Sequence, residues 1–106
     1  MREDEKMFLI RVFLEGSRDE NNNCRDEYKS PRDIINEEDF FIHYKRAWYL
    51  LQKWGSKGWY DYGVTLDLGW LEEEGIEAAK AVIKEIQQRD NLIPTLPLAK
   101  GKEKES

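Results

Sequence analysis

Lys45, Arg46, Lys53 and Lys57 stand in a stretch with no acidic residue between His43 and Tyr60. Drawn as a helix, the stretch puts Ile42, Lys45, Arg46, Tyr49 and Lys53 on one side, with Trp59 close behind. Cations hold phosphates and aromatic rings stack on bases, so this mixture suits single-stranded nucleic acid. It equally suits a protein interface, where Tyr, Trp and Arg carry much of the binding energy. The plainest alternative is a solvated helix face. The residues expected to bind are Ile42, Lys45, Arg46, Tyr49, Lys53, Lys57 and Trp59.

Other groupings offer less. Asp61, Thr65 and Asp67 fall on one side of an alternating stretch, and Glu72, Glu73 and Glu74 follow. Strand carboxylates in that pattern can hold magnesium for phosphoryl transfer. They also read as a solvated strand face ahead of a helix whose positive end favours acids. The one histidine, His43, and the one cysteine, Cys24, lie too far from further ligands to suggest structural zinc. His43 has no nucleophile or orienting acid at a fixed spacing, which leaves it a boundary residue with one local hydrogen bond. Gly55-Ser-Lys-Gly58 precedes a strand rather than a helix, so it lacks the dipole of a phosphate loop and reads as a turn. No cofactor and no metal are expected.

These side chains must be held by one small body. The chain has 106 residues, 40% apolar and 12% aromatic, enough for a single core. Three of four tryptophans and four of five tyrosines lie between Tyr44 and Tyr62. The net charge is −5, and residues 61–90 alone carry eight acids against three bases. That balance argues mildly against a dedicated nucleic-acid binder. The charged start, Met-Arg-Glu-Asp-Glu-Lys, lacks a secretory signal, and no apolar run reaches membrane-spanning length. With a single cysteine, a reducing, cytoplasmic setting is expected.

The periodicities predict an α+β fold of order β-(β)-α-β-α, with two helices packed on one face of a two- or three-stranded sheet. Residues 1–6 read as a flexible leader, 7–98 as a single α+β domain and 99–106 as a disordered charged tail. Met7–Glu15 reads as a strand with two apolar faces: Phe8, Ile10, Val12 and Leu14 against Met7, Leu9 and Phe13. Residues 16–31 read as a polar loop with turn chemistry at Ser30-Pro31, in which Arg25–Lys29 is the optional return strand. A helix is expected over Glu37–Trp54, capped by Asn36 and closed by Gly55, with Phe40, Tyr44, Ala47, Trp48, Leu51 and Trp54 inward. Trp59–Leu68 alternates as a strand with Tyr60, Tyr62, Val64, Leu66 and Leu68 inward, ended by Gly69. A second helix is expected over Leu71–Asp90, with Gly75 available for close packing. Beyond it, Leu92–Leu98 carries two prolines and reads as extended.

Gly69-Trp-Leu-Glu-Glu-Glu-Gly-Ile-Glu-Ala-Ala79 resembles the Leu-x-x-x-Gly strand-to-helix exit of winged-helix regulators. A winged helix needs helices ahead of its recognition helix, and a β-first order lacks them. No function is carried over from the resemblance. The expected protein is a small non-enzymatic binding or regulatory protein. Its partner is another protein or a second copy of the chain, met through the first helix. A nucleic-acid or nucleotide binder using the same face is the alternative, and a metal-dependent enzyme using the strand aspartates is the second.

Overall fold

The computed structural model of the chain describes residues 1–91. The order is α1 (Glu3–Glu15), α2 (Pro31–Ile35), α3 (Tyr44–Ser56), β1 (Tyr60–Tyr62), β2 (Gly69–Leu71) and α4 (Glu73–Asn91). Mixed helix and strand is as expected. The order is not: three helices precede a single antiparallel hairpin, and a fourth follows it. The residues beyond 91, including Leu92–Leu98 and the expected tail at 99–106, lie outside the described part.

The first correction is Met7–Glu15, which is helical rather than extended. Glu5, Phe8, Leu9, Val12 and Phe13 are buried, a helical spacing. Acids at Glu3, Asp4 and Glu5 favour the positive end of that helix. Residues 3–6, expected in a leader, form its first turn. After Gly16 there is an isolated bridge between Arg18 and Cys24 but no strand at Arg25–Lys29. The loop is held by its polar groups instead. The Asp19 carboxylate accepts from the Asn21 and Asn23 amides, each at 2.9 Å. The Arg25 guanidinium donates to the carbonyls of Phe13 at 2.7 Å and Gly16 at 2.9 Å.

Ser30-Pro31 opens α2 rather than making a turn. The Ser30 hydroxyl accepts from the Asp33 amide and the Asp33 carboxylate accepts from the Ser30 amide, a capping box with Pro31 at the first helical position. Asn36 therefore caps the end of α2, not the start of the long helix. The cap of α3 is His43, whose Nδ1 accepts from the Lys45 amide at 3.1 Å. The other end of α3 also lies further on: the helix runs to Ser56, and the left-handed residue is Gly58 (φ 80°) rather than Gly55.

Trp59–Leu68 is a hairpin arm and its loop. Tyr60 pairs with Leu71, Asp61 with Trp70 and Tyr62 with Gly69, so Gly69 belongs to a strand. The Tyr60 hydroxyl donates to the Leu66 carbonyl at 2.6 Å and folds the intervening loop back. That contact interrupts the alternation. Tyr60 and Leu66 are buried, while Tyr62, Val64 and Leu68 face solvent. The hairpin joins α4 through the Trp59 carbonyl, which accepts from the Glu72 amide at 2.7 Å. The same carbonyl lies so close to Gly75 that a Cβ there would overlap it.

The core draws on Phe8, Leu9, Ile34, Leu50, Leu51, Trp54, Tyr60, Leu71 and Ile76. Helix α1 packs along α4, and the hairpin sits against α1, α3 and α4. Ion pairs Lys6–Glu85 at 3.0 Å and Arg89–Glu3 at 3.8 Å show that α1 and α4 run antiparallel. A second link ties α1 to α3. Glu5, 1% exposed, accepts from Trp54 Nε1 at 3.0 Å and from Lys53 Nζ at 2.9 Å. Burial alone would raise the Glu5 pKa; the hydrogen bonds from Lys53 and Trp54 outweigh it and hold the carboxyl below its ordinary value.

Glu5→Ala removes the acceptor for a buried indole N–H and for Lys53. A loss of about 2–4 kcal/mol is expected, read as a lower urea midpoint at unchanged slope. A loss under ~1 kcal/mol would show that the clamp is dispensable. A pH effect follows from Glu37, held at about 2 by hydrogen bonds from Arg11 and Lys29. A carboxyl depressed in the fold contributes fully above its ordinary 4.5, and the contribution is lost as pH falls toward 2. The urea midpoint should therefore drop across that window, and Glu37→Gln should make the drop shallower.

Candidate functional site

Helix α3 is fixed on one side and open on the other. Arg46, Leu50, Lys53 and Trp54 turn toward the body of the protein. Leu50 and Trp54 are fully buried, Lys53 meets Glu5, and Arg46 makes a two-pronged contact to Asp4 at 3.0 and 3.2 Å. The hydrogen bond from Arg46 holds the Asp4 carboxyl below its ordinary range. Lys45, Tyr49, Gln52 and Ser56 share the opposite side, all exposed.

Two shallow clefts flank this outward side. One, of about 430 Å³, is lined by Tyr49, Gln52, Lys53, Ser56 and Lys57. The other, of about 500 Å³, lies between α3 and the hairpin and is lined by Gln52, Ser56, Tyr60, Asp61, Tyr62 and Leu66. Gln52 and Ser56 belong to both, so the clefts form one surface running from α3 onto the hairpin. Tyr49 lines the first cleft, with the Arg46 guanidinium 5.6 Å over its ring; nearer the start of the helix the exposed Tyr44 lies edge-on at 5.9 Å to Trp48, which is partly buried against the core. At the far end the Lys57 ammonium sits 4.4 Å from the centre of the Trp59 ring.

Of the seven residues expected to bind, the structure brings Lys45, Tyr49 and Lys57 onto the open face. Arg46 and Lys53 border it, but each is paired with an acid of α1. Trp59 is half-buried beneath Lys57. Ile42 is a correction. It precedes the helix and is 6% exposed, so it belongs to the core. Tyr44, read as inward, is the first residue of the helix and is exposed. Gln52, Ser56 and Tyr62, which line the clefts, were not singled out as binding residues, and Tyr62 was read as inward.

The strand aspartates do not form a pair. Asp67 is 8% exposed and accepts from Arg32 at 2.9 and 3.1 Å and from the Thr65 hydroxyl at 2.8 Å. Asp61 is exposed and accepts from the Tyr62 amide at 2.8 Å. The hydrogen bond from Arg32 keeps Asp67 ionised below the usual carboxylate range, so this carboxylate is already neutralised by a protein cation. Among the described residues no three His, Cys, Asp or Glu side chains converge as a metal site, and no helix is long and apolar enough to cross a membrane.

No family model matches the chain, and no curated protein or solved structure matches it.

The exposed rings can be separated from folding. Tyr44→Ala and Tyr49→Ala should each change stability by no more than ~0.5 kcal/mol in urea titration, as for surface sites. A loss above about 1 kcal/mol would mean that these rings are part of the packing.

Proposed function

We propose that this chain binds nucleic acid through the outward side of α3 and the adjoining hairpin. The observation that carries the reading is the order of elements around an acid-free helix. Residues 40–60 contain no Asp or Glu in a chain with 22 of them. This segment forms α3, it follows two helices, and it leads directly into an antiparallel hairpin and a further helix. The β-first order that stood against the winged-helix resemblance at Gly69–Ala79 is gone. Recognition helices of the helix-turn-helix kind enter the major groove with their N-terminal residues against base edges. Here the exposed ones are Tyr44, Lys45 and Tyr49, with Trp48 partly buried beside them. The connection from α2 to α3, residues 36–43, is longer than the short turn of the simplest helix-turn-helix.

Lys45 and Lys57 would meet phosphates, and Gln52 and Ser56 offer hydrogen bonds toward bases or sugars. With two to four phosphates engaged, log K should fall against log salt with a slope of about −2 to −4. Fluorescence or mobility-shift titration of duplex and single-stranded oligonucleotides at two salt concentrations tests this. Lys45→Glu with Lys57→Glu should weaken binding by roughly tenfold or more and flatten the slope by about 2. No binding at low salt, or binding that the double variant leaves unchanged, would remove the proposal.

A second reading has its own support. Arg46 and Lys53 are already paired with Asp4 and Glu5, so the face is richer in exposed aromatics than in free charge. Tyr44, Trp48 and Tyr49 would then be the anchors of a protein interface. A salt-insensitive partner whose binding is lost in Tyr49→Ala would favour this reading over nucleic acid.

A further inference from the structure

The two clefts beside α3 each carry one exposed tyrosine. Tyr49 stands in the first, with Lys53 and Lys57. Tyr62 stands in the second, with the buried Leu66 and one acid, Asp61. Gln52 and Ser56 line both clefts and so stand between them. We propose that each cleft seats one base of a single-stranded nucleic acid, the two bases parted by Gln52 and Ser56. The inference rests on the nucleic-acid reading and narrows it to an unpaired strand.

A tyrosine ring stacks on the flat face of a base. In a duplex that face is covered above and below by neighbouring bases, about 3.4 Å apart along each strand, and only base edges reach the grooves. Bases stacked so closely do not part around a pair of side chains. The bases of a single strand do splay apart, and they stack on separate rings. Two clefts, each with its own tyrosine and a polar wall between them, match that arrangement. The wall is suited to it as well: the Gln52 amide and the Ser56 hydroxyl both donate and accept, so they can meet base edges on either side. Arg46 covers one face of the Tyr49 ring from 5.6 Å, and the ring remains 53% exposed.

Charge places the backbone. A carboxylate repels phosphate, so Asp61 favours a base over the backbone in the second cleft. Lys57 draws the backbone toward the first, where Lys53 adds less because Glu5 already holds it. With few free cations on the face, stacking has to supply much of the affinity. A duplex presents phosphates and edges but no faces, so it gains little here. The order of helices and hairpin sets where α3 stands; the clefts set what it can hold.

Anisotropy titration of the full chain with a labelled strand of about fifteen nucleotides, in deoxy and ribo forms at about 50 mM salt, tests the proposal. The same strand annealed to its complement should bind at least about tenfold more weakly. A strand of equal length and charge with abasic sugars in place of its bases should also fall by at least about tenfold. Tyr49→Ala and Tyr62→Ala should each weaken the intact strand by roughly fivefold or more, with circular dichroism as in the parent. A duplex that binds as well as the strand, or an abasic strand that binds as well as the intact one, overturns the proposal and leaves the nucleic-acid reading standing. Full affinity in both tyrosine variants does the same. If a variant fails to fold, the comparison of probes on the parent chain decides. No binding by any probe overturns both readings.

Discussion

A single buried carboxylate fixes the position of α3. Glu5 sits in the first turn of α1 and takes hydrogen bonds from two successive residues of α3, Lys53 and Trp54. A buried acid is tolerated only with such partners, so the three groups are held together or not at all. Trp54 then places its ring against Phe8, 5.3 Å between centres, and Phe8 in turn meets Phe40 at 5.5 Å. Two turns back along α3, Arg46 repeats the arrangement with Asp4. Contacts at residues 46, 53 and 54 leave the helix no freedom to roll. The side that carries Lys45, Tyr49, Gln52 and Ser56 is outward because the opposite side is anchored.

The same anchoring limits what α3 can offer a partner. Of the four cations on α3 and its C-cap two are matched by carboxylates of α1, and a charge held in a two-pronged pair is a poorer phosphate ligand than a free one. Lys45 and Lys57 remain, and Lys57 is drawn over the Trp59 ring. Any binding on this face thus combines a small number of charges with a large aromatic area. The proposed nucleic-acid reading therefore implies a modest salt dependence, and the protein reading draws on the same rings.

The sequence made some of this legible and hid the rest for identifiable reasons. The spacing of Ile76, Ala79, Ile83 and Ile86 made the last helix legible, with Val82 at the edge of its inward stripe; Ile76, Ala79 and Val82 are buried, whereas Ile83 and Ile86 are only partly so. Met7–Glu15 has no polar side to give the period away. Apolar residues occupy almost every position, so the helix spacing of Phe8, Leu9, Val12 and Phe13 and the strand alternation fit equally well. The decisive residue was Glu5, whose burial no hydrophobic pattern reveals. At the long helix, two start signals competed. Asn36 followed by three acids resembles a cap, but Ser30-Pro31-Arg32-Asp33 is a fuller one and takes its residues into α2. Shifting the start from Glu37 to Tyr44 takes Ile42 out of the helix and into the core, and leaves Tyr44 as the exposed first residue of α3. In the hairpin, alternation continued through the loop by coincidence of side-chain type, and the Tyr60–Leu66 hydrogen bond that bends the chain is not a sequence pattern.

Net charge is a weak guide to this molecule because its acids are sorted by element. Glu5 and Asp4 face inward and neutralise cations of α3. Glu37 and Glu15 surround Arg11, and Asp67 is taken by Arg32. The acids of α4's first turn, Glu73 and Glu74, are exposed at the far end of the hairpin from its loop. The internal pairs cancel, and residues 61–90 hold eight acids against three bases, so the total of −5 describes the hairpin and α4 more than it describes α3. At physiological salt exposed charges are screened beyond about 8 Å, so a ligand at α3 responds to the charges within that reach. Close by, those are Lys45 and Lys57, the paired Arg46 and Lys53, Asp61 across the cleft and Glu74, whose carboxylate lies beside Gly58. The overall acidity that weighs against nucleic acid at the level of composition loses most of its force at the scale of the helix that would meet it.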